Sequence, residues 1–195
     1  RKRSAEKPKK RPDIRDKKRG TRRERLHDLN LSPQQRALLQ NLVARKRARE
    51  AEEKRLEQAA ELLKSSLFDR QLDFFKNPRR KKLARCSRRA GKTHLAAAIL
   101  LDAAVRFPGS LVPYVTLSMK NARRILWTTL HQMDVEFGFG LEFRANDLTA
   151  TLSNGSQIIL AGATDYEEIQ KLRGPKYGSV VLDEVQSMKT SVCRT

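Results

Sequence analysis

The chain has 195 residues, which is enough for one ordinary domain with an extension but short for two full domains. Its 42 Lys and Arg against 22 Asp and Glu give a net charge of +20 and a pI near 10.6, so a polyanionic partner is expected and nucleic acid is the first candidate. Two cysteines exclude a disulfide scaffold and fit no metal-ligand spacing, and no apolar run approaches the roughly 20 residues of a membrane span. We therefore expect a soluble protein of the reducing cytosol.

Residues 1–30 are predicted to form a flexible basic arm. Residues 1–25 hold fourteen Lys and Arg against four Asp and Glu, an excess of ten positive charges. Such a run is typically disordered in isolation, and it also suits contacts with nucleic-acid phosphates or an acidic surface. The two interpretations are compatible.

A helical extension is expected over residues 31–66. Ser32 is a suitable N-cap, Pro33 occupies the first helical position, and Gln35 lies three residues after the cap. No helix breaker follows before about Leu63, although the charged stretch Arg45–Arg55 interrupts the apolar face. The pattern fits a surface helix docked at both ends or a lever that binds a partner.

Residues 67–195 alternate predicted strands with predicted helices, which indicates an α/β fold with a mainly parallel sheet and right-handed crossovers. Asn154-Gly155 between two apolar runs is a strong hairpin signal. The expected strands are Lys82–Cys86, Pro113–Met119, Leu148–Leu152, Gln157–Leu160 and a fully buried Gly178–Leu182, and the expected helices are Thr93–Arg106, Asn121–Val135 and Asp165–Leu172.

The segment from Cys86 to Thr93 has the frame of a Walker A loop, with Cys86 where the first glycine is expected. Gly91 would let the backbone approach phosphates, Lys92 would reach the β- and γ-phosphates, and the Thr93 hydroxyl would ligate Mg²⁺. An ordinary strand-to-helix turn is the alternative. The nucleotide-binding candidates in the loop are Ser87, Arg88, Arg89, Ala90, Gly91, Lys92 and Thr93.

Charged residues at two further places suggest catalysis. Arg88 or Arg89 could stabilise charge on a transferring phosphoryl group. An apolar strand that ends in Asp183-Glu184 would place both carboxylates at the carboxyl edge of the sheet. There Asp183 would hold Mg²⁺ and Glu184 would orient and activate the attacking water, unless the pair is simply a solvated strand end.

Gln71 lies about twenty positions before Lys92, among aromatic residues. A glutamine amide can read the edge of an adenine while an aromatic ring stacks on its face. Phe68, Leu72 and Phe75 also have the spacing of the core face of a helix. An adenine-binding role for Gln71 is therefore a hypothesis.

From about Phe68 to Ser187 the chain resembles the large subunit of tailed-phage terminase, the motor that packages DNA. The resemblance rests on the order and spacing of several motifs. They are Gln71, the Ser87–Thr93 loop without its first glycine, Tyr114–Trp127 (YVTLSMKNARRILW), Leu152–Ser156 (LSNGS), Leu172-Arg173-Gly174 and Val180–Glu184 (VVLDE).

This resemblance implies a P-loop ATPase of the additional-strand type that uses ATP and Mg²⁺. It implies a homo-oligomeric ring, commonly a pentamer, which pulls double-stranded DNA through the portal of a procapsid in the host cytoplasm, with portal protein and small terminase subunit as partners. Arg88 matches an arginine that senses the γ-phosphate, and Arg173 matches a loop near the DNA channel.

The family's coupling motif would lie beyond Glu184, and its nuclease domain has no counterpart in these 195 residues. We therefore expect an incomplete ATPase region whose independent turnover is in question. Two alternatives stay open: a helicase-like nucleic-acid-dependent ATPase, which Cys86 and the adjacent arginines disfavour, and a non-catalytic basic DNA-binding or assembly fragment.

Overall fold

The structure is a computed structural model that describes residues 32–163 and 175–188. The chain divides into two units, Arg1–Arg45 and Lys46–Thr195, and the boundary falls within the first described helix. The helices are α1 (Pro33–Ser65), α2 (Asp69–Lys76), α3 (Lys92–Arg106), α4 (Met119–Ala122) and α5 (Thr128–Phe137), with a π-helical turn at Arg123–Trp127 and a 3₁₀ turn at Val185–Ser187. The strands are β1 (Leu111–Thr116), β2 (Glu142–Arg144), β3 (Thr149–Thr151), β4 (Gln157–Gly162) and β5 (Val181–Leu182).

The described strands form one five-stranded sheet in the order β2-β3-β4-β1-β5. β1 pairs in parallel with both β4 and β5, while β3 pairs antiparallel with β2 and β4. The α/β class is confirmed, but the sheet in this part of the chain is mixed rather than mainly parallel. The reason is local, because the tight Asn-Gly turn between β3 and β4 reverses the chain and forces antiparallel pairing.

Two predictions that depend only on residues close together along the chain are confirmed: the N-terminal cap of α1 and the turn between β3 and β4. At the start of α1 the Gln35 amide N–H donates to the Ser32 hydroxyl at 3.3 Å, and the Gln35 side chain accepts from the Ser32 amide at 2.9 Å. The β3–β4 hairpin is closed by the Leu152 N–H donating to the Ser156 carbonyl at 2.9 Å. Gly155 occupies the left-handed region at φ +83°.

The core of the second unit lies between the sheet and α3. One face of α3 is almost entirely Ala and Leu, and Ala97, Ala98, Leu100 and Leu101 are fully buried. The expected helix over Asn121–Val135 is present, extended at both ends and interrupted by the π-helical turn. It contributes Leu126, Leu130 and Met133 to the same core, together with Leu56 and Leu63 of α1.

Two expected strands differ from the prediction. Residues 82–86 form no strand and are exposed, with Leu83 83% exposed. The Lys82 ammonium donates to the Phe74 and Phe75 carbonyls at 3.1 and 3.0 Å, which holds this segment against the end of α2 rather than in the sheet.

β5 is shorter and less buried than expected. It spans two residues, and Val180 and Leu182 are 47% and 37% exposed. β5 is the outermost described strand next to β1, so one of its edges has no described neighbour. The helix expected over residues 165–172 lies outside the described residues.

Candidate nucleotide-binding site

The 87–93 loop leads directly into α3, and its backbone has the unusual conformations that such a loop requires. Gly91 is the N-cap of α3 in the left-handed region at φ +70°, and Arg89 is also left-handed at φ 62°. The amides of the first turn of a helix have no partners within the helix and attract anions. The loop therefore leads into a helix start of the kind that attracts anions, with Arg88 and Arg89 exposed beside it.

The Lys92 side chain folds back across the loop that precedes it. Its ammonium donates to the Ser87 carbonyl at 2.7 Å. A phosphate oxygen is a stronger acceptor than a peptide carbonyl because it is charged. An incoming phosphate can thus take over a donor that the loop already holds in place.

Gln71 reaches the loop from α2. It is 5% exposed, and its Nε2 donates to the Gly91 carbonyl at 3.0 Å. A Cβ atom placed on Gly91 would lie 2.5 Å from that Nε2 and 3.5 Å from Cε1 of Phe68. The structure therefore brings Gln71 to the loop, where it contacts backbone; the reading of adenine by Gln71 stays a prediction.

The acidic pair follows β5. The Asp183 amide donates to the Val115 carbonyl at 2.8 Å, which continues the pairing of β5 with β1. The two carboxylate oxygens of Asp183 accept from different donors: Oδ2 from the Tyr114 hydroxyl at 2.7 Å and Oδ1 from the Glu184 amide at 2.9 Å. Glu184 lies in the left-handed region at φ 55° and begins the 3₁₀ turn.

Tyr114 is a site residue that the sequence interpretation missed. Its side chain is fully buried, and burial, followed by the hydrogen bond to Asp183, raises the pKa of Tyr114 far above its usual range. The hydroxyl is therefore a neutral donor at physiological pH. A tyrosine within a buried strand was the available signal, since a buried hydroxyl needs a partner.

Topology brings the loop and the acidic pair to one edge of the sheet. α3 packs on β1 and on β5, and only residues 107–110 connect α3 to β1. So short a connection reverses the chain, which places the start of α3 near the carboxyl end of β1. Asp183 follows the carboxyl end of β5, the parallel neighbour of β1. Ligands of α/β proteins bind at this edge.

The predicted magnesium ligands are Thr93, in the first turn of α3, and Asp183. The part of the chain that the structure describes holds no cluster of three or more His, Cys, Asp and Glu side chains suited to a metal ion. Magnesium commonly binds one or two protein oxygens together with water and phosphate, so two protein ligands fit its chemistry. The predicted nucleic-acid contacts, Arg173 and residues 1–25, lie outside the described residues.

The fold is similar to that of the large terminase from the thermophilic bacteriophage D6E, in a crystal form that matches with a TM-score of 0.57 and 22% identity over 65% of this chain and 34% of that chain. The fold is that of part of a large terminase. A second crystal form of the same terminase, in complex with ADP, matches with a TM-score of 0.57 and 24% identity over 66% of this chain and 34% of that chain.

The chain thus spans about a third of the length of the D6E terminase structures. No protein-family model matches the sequence, and no curated protein matches it either. Among the described residues, no helix has the length and apolar character needed to cross a membrane. The likeness to a large terminase that the motifs imply is confirmed at the level of the fold.

Proposed function

We propose that this chain is the ATP-hydrolysing region of a viral terminase motor that drives double-stranded DNA into a capsid. The observation that carries the proposal is the 87–93 loop at the start of α3 together with Asp183 and Glu184 at the carboxyl edge of the sheet that α3 covers. The similarity in fold to a large terminase, and the ADP held by one of those structures, support the same conclusion.

The binding roles follow from position. The first-turn amides of α3 and the Lys92 ammonium would hold the β- and γ-phosphates. The Thr93 hydroxyl and the Asp183 carboxylate would hold Mg²⁺, which supplies positive charge to the phosphate oxygens when bound. Each Asp183 oxygen accepts one hydrogen bond in the structure and retains a lone pair for a cation.

The hydrolytic roles fall to Glu184 and Arg88. Glu184 orients the attacking water and accepts its proton as the γ-phosphorus is attacked and ADP departs. A positioned base contributes roughly 10²- to 10⁴-fold to a rate. Arg88 stabilises the charge that develops on the transferred phosphoryl group, a role worth roughly 10³- to 10⁵-fold where an arginine performs it in related reactions.

The partners of the proposed motor are double-stranded DNA, portal protein, small terminase subunit and further copies of this chain in a ring. The excess of ten positive charges in residues 1–25 supports contact with a DNA backbone. Such contact is independent of base sequence and weakens steeply with salt.

The test is ATP binding and hydrolysis with and without double-stranded DNA. Lys92→Ala should abolish binding, whereas Glu184→Gln should keep binding and lose turnover. Lys54→Ala and Glu57→Gln, both at exposed positions of α1, are matched controls that should behave as the wild-type chain.

A wild-type chain that binds ATP without turnover would restrict hydrolysis to a longer protein that contains this region. Failure to bind ATP would refute the assignment of the 87–93 loop. Turnover that survives Glu184→Gln would refute the role of Glu184 while leaving the loop assignment intact.

A further inference from the structure

The Gly91 carbonyl accepts two hydrogen bonds, and only one of them belongs to the helix. The Leu95 amide donates to it at 3.0 Å, which is the first hydrogen bond of α3. The Gln71 Nε2 donates to the same oxygen at 3.0 Å, although Gln71 lies 20 residues earlier on a different helix. The N-cap peptide of α3 is therefore held from outside the helix.

This second hydrogen bond fixes the direction of a backbone N–H that can donate a hydrogen bond to a phosphate. The Gly91 carbonyl and the Lys92 N–H belong to one planar trans peptide unit, so the two groups point in opposite directions. When Gln71 and Leu95 hold the carbonyl on one side, the Lys92 N–H is held toward the other side. That N–H is among the unpaired first-turn amides that meet an anion at a helix start.

Gln71 is firmly placed for such a role. Phe75 on the same helix is buried in the core, and the Lys82 ammonium caps the last carbonyls of α2. The Gln71 side chain is almost completely buried, and a single added carbon on Gly91 would clash with its amide. Glycine at position 91 thus accommodates both the left-handed backbone and the close approach of Gln71.

We propose that Gln71 is a positioning residue of the 87–93 loop, and that it strengthens nucleotide binding through the phosphates rather than through the adenine base. The inference rests on the proposed nucleotide-binding function. It differs from adenine recognition in its consequence: loss of the Gln71 amide weakens every ligand with a polyphosphate chain by the same factor, whatever base the ligand carries.

The experiment compares Mg²⁺-ATP, Mg²⁺-GTP and Mg²⁺-tripolyphosphate by isothermal titration calorimetry. The variants are Gln71→Ala and Gln71→Met. Methionine keeps the length of the buried side chain but cannot donate, so the fold is preserved while the hydrogen bond is lost. Gln132→Met, at an exposed position of α5, is the matched control.

We expect Gln71→Met to weaken all three ligands by a common factor of roughly five to ten, the effect of one lost hydrogen bond. Weakening of ATP alone, with GTP and tripolyphosphate unchanged, would make Gln71 an adenine reader and overturn the proposal. Unchanged affinity for all three would overturn it as well. If the wild-type chain binds none of the three, the proposed nucleotide-binding function itself fails.

Hydrogen exchange tests the positioning role of Gln71 without any ligand. Hydrogen exchange of the peptide that contains residues 87–93 should be faster in Gln71→Met than in the wild-type chain, because the N-cap peptide has lost its external hydrogen bond. Exchange in α5 should not change. Equal exchange of the loop in the two proteins would contradict a positioning role.

Discussion

The contact between Tyr114 and Asp183 makes Tyr114→Phe an informative perturbation. The substitution removes one oxygen from a fully buried side chain and leaves the ring in place. It deletes a 2.7 Å hydrogen bond to the Asp183 carboxylate. A hydrogen bond to a charged group contributes about 1.5–3 kcal/mol, and Asp183 is partly exposed, so water can replace part of the loss. We expect a destabilisation of about 1.5–2 kcal/mol at pH 8.

The pH dependence of this difference has a definite sign. The ordinary pKa of tyrosine is 10.0, and in the folded chain the pKa of Tyr114 is raised well above that value, first by burial and then by Asp183. The unfolded chain therefore releases this proton near pH 10 while the folded chain retains it. The contribution of Tyr114 to stability is complete below pH 10 and falls by about 1.4 kcal/mol for each pH unit above it, until the folded pKa is reached.

The assay is urea unfolding of the 195-residue chain and of Tyr114→Phe at several pH values from 8 to 11. Phenylalanine does not ionise, so the stability advantage of the wild-type chain should shrink by about 1.4 kcal/mol between pH 8 and pH 11. Ile158→Val, on the neighbouring strand β4, is the control: it should cost about 0.5–1.5 kcal/mol at every pH. A difference between wild type and Tyr114→Phe that stays constant up to pH 11 would refute the reasoning.

Three further perturbations test other contacts. Gly91→Ala should lower the free energy of unfolding by about 2–3 kcal/mol, because of left-handed strain and the clash with the Gln71 amide. In a double-mutant cycle with Gln71→Ala, the part of this cost that comes from the clash should disappear. Additive effects of the two substitutions would contradict the contact. Arg55→Ala should lower the urea midpoint by the equivalent of about 1 kcal/mol, because the Arg55 guanidinium donates to two carbonyls in the loop after α5, and an unchanged midpoint would argue against this link. Asp102→Ala should lower the free energy of unfolding by about 1–3 kcal/mol in thermal unfolding, because Asp102 is buried and pairs with Lys64 and Arg106, whose side chains reach solvent. Lys64→Met removes one of these two cations and should cost less. The reverse order would contradict the importance assigned to Asp102.

The features that could be predicted from sequence are those whose partners lie close together along the chain. The capping box of α1 joins residues three apart, and the Asn154-Gly155 turn needs only the conformational freedom of its own residues. The start of α3 was predicted at Thr93 and lies one residue earlier, at Lys92. The order of the motifs also indicated a fold like that of a large terminase, which the solved structures confirm.

What tertiary structure decided depends on partners far apart in sequence. The segment 82–86 has a strand-like pattern, but Lys82 pairs with the end of α2, and this contact overrides a weak local preference. The Tyr114 hydroxyl meets a carboxylate 69 residues later, and the Gln71 amide meets a carbonyl 20 residues later.

Sequence by itself therefore determined the local turns and caps and the resemblance in fold, and it predicted the loop and the acidic residues as candidates for the site. Only the tertiary structure decided that Tyr114 donates to Asp183, that Gln71 donates to Gly91, and how the strands are ordered. The physical reason is that hydrogen bonds in turns and caps are set by local backbone geometry, whereas those between elements depend on how the whole core packs.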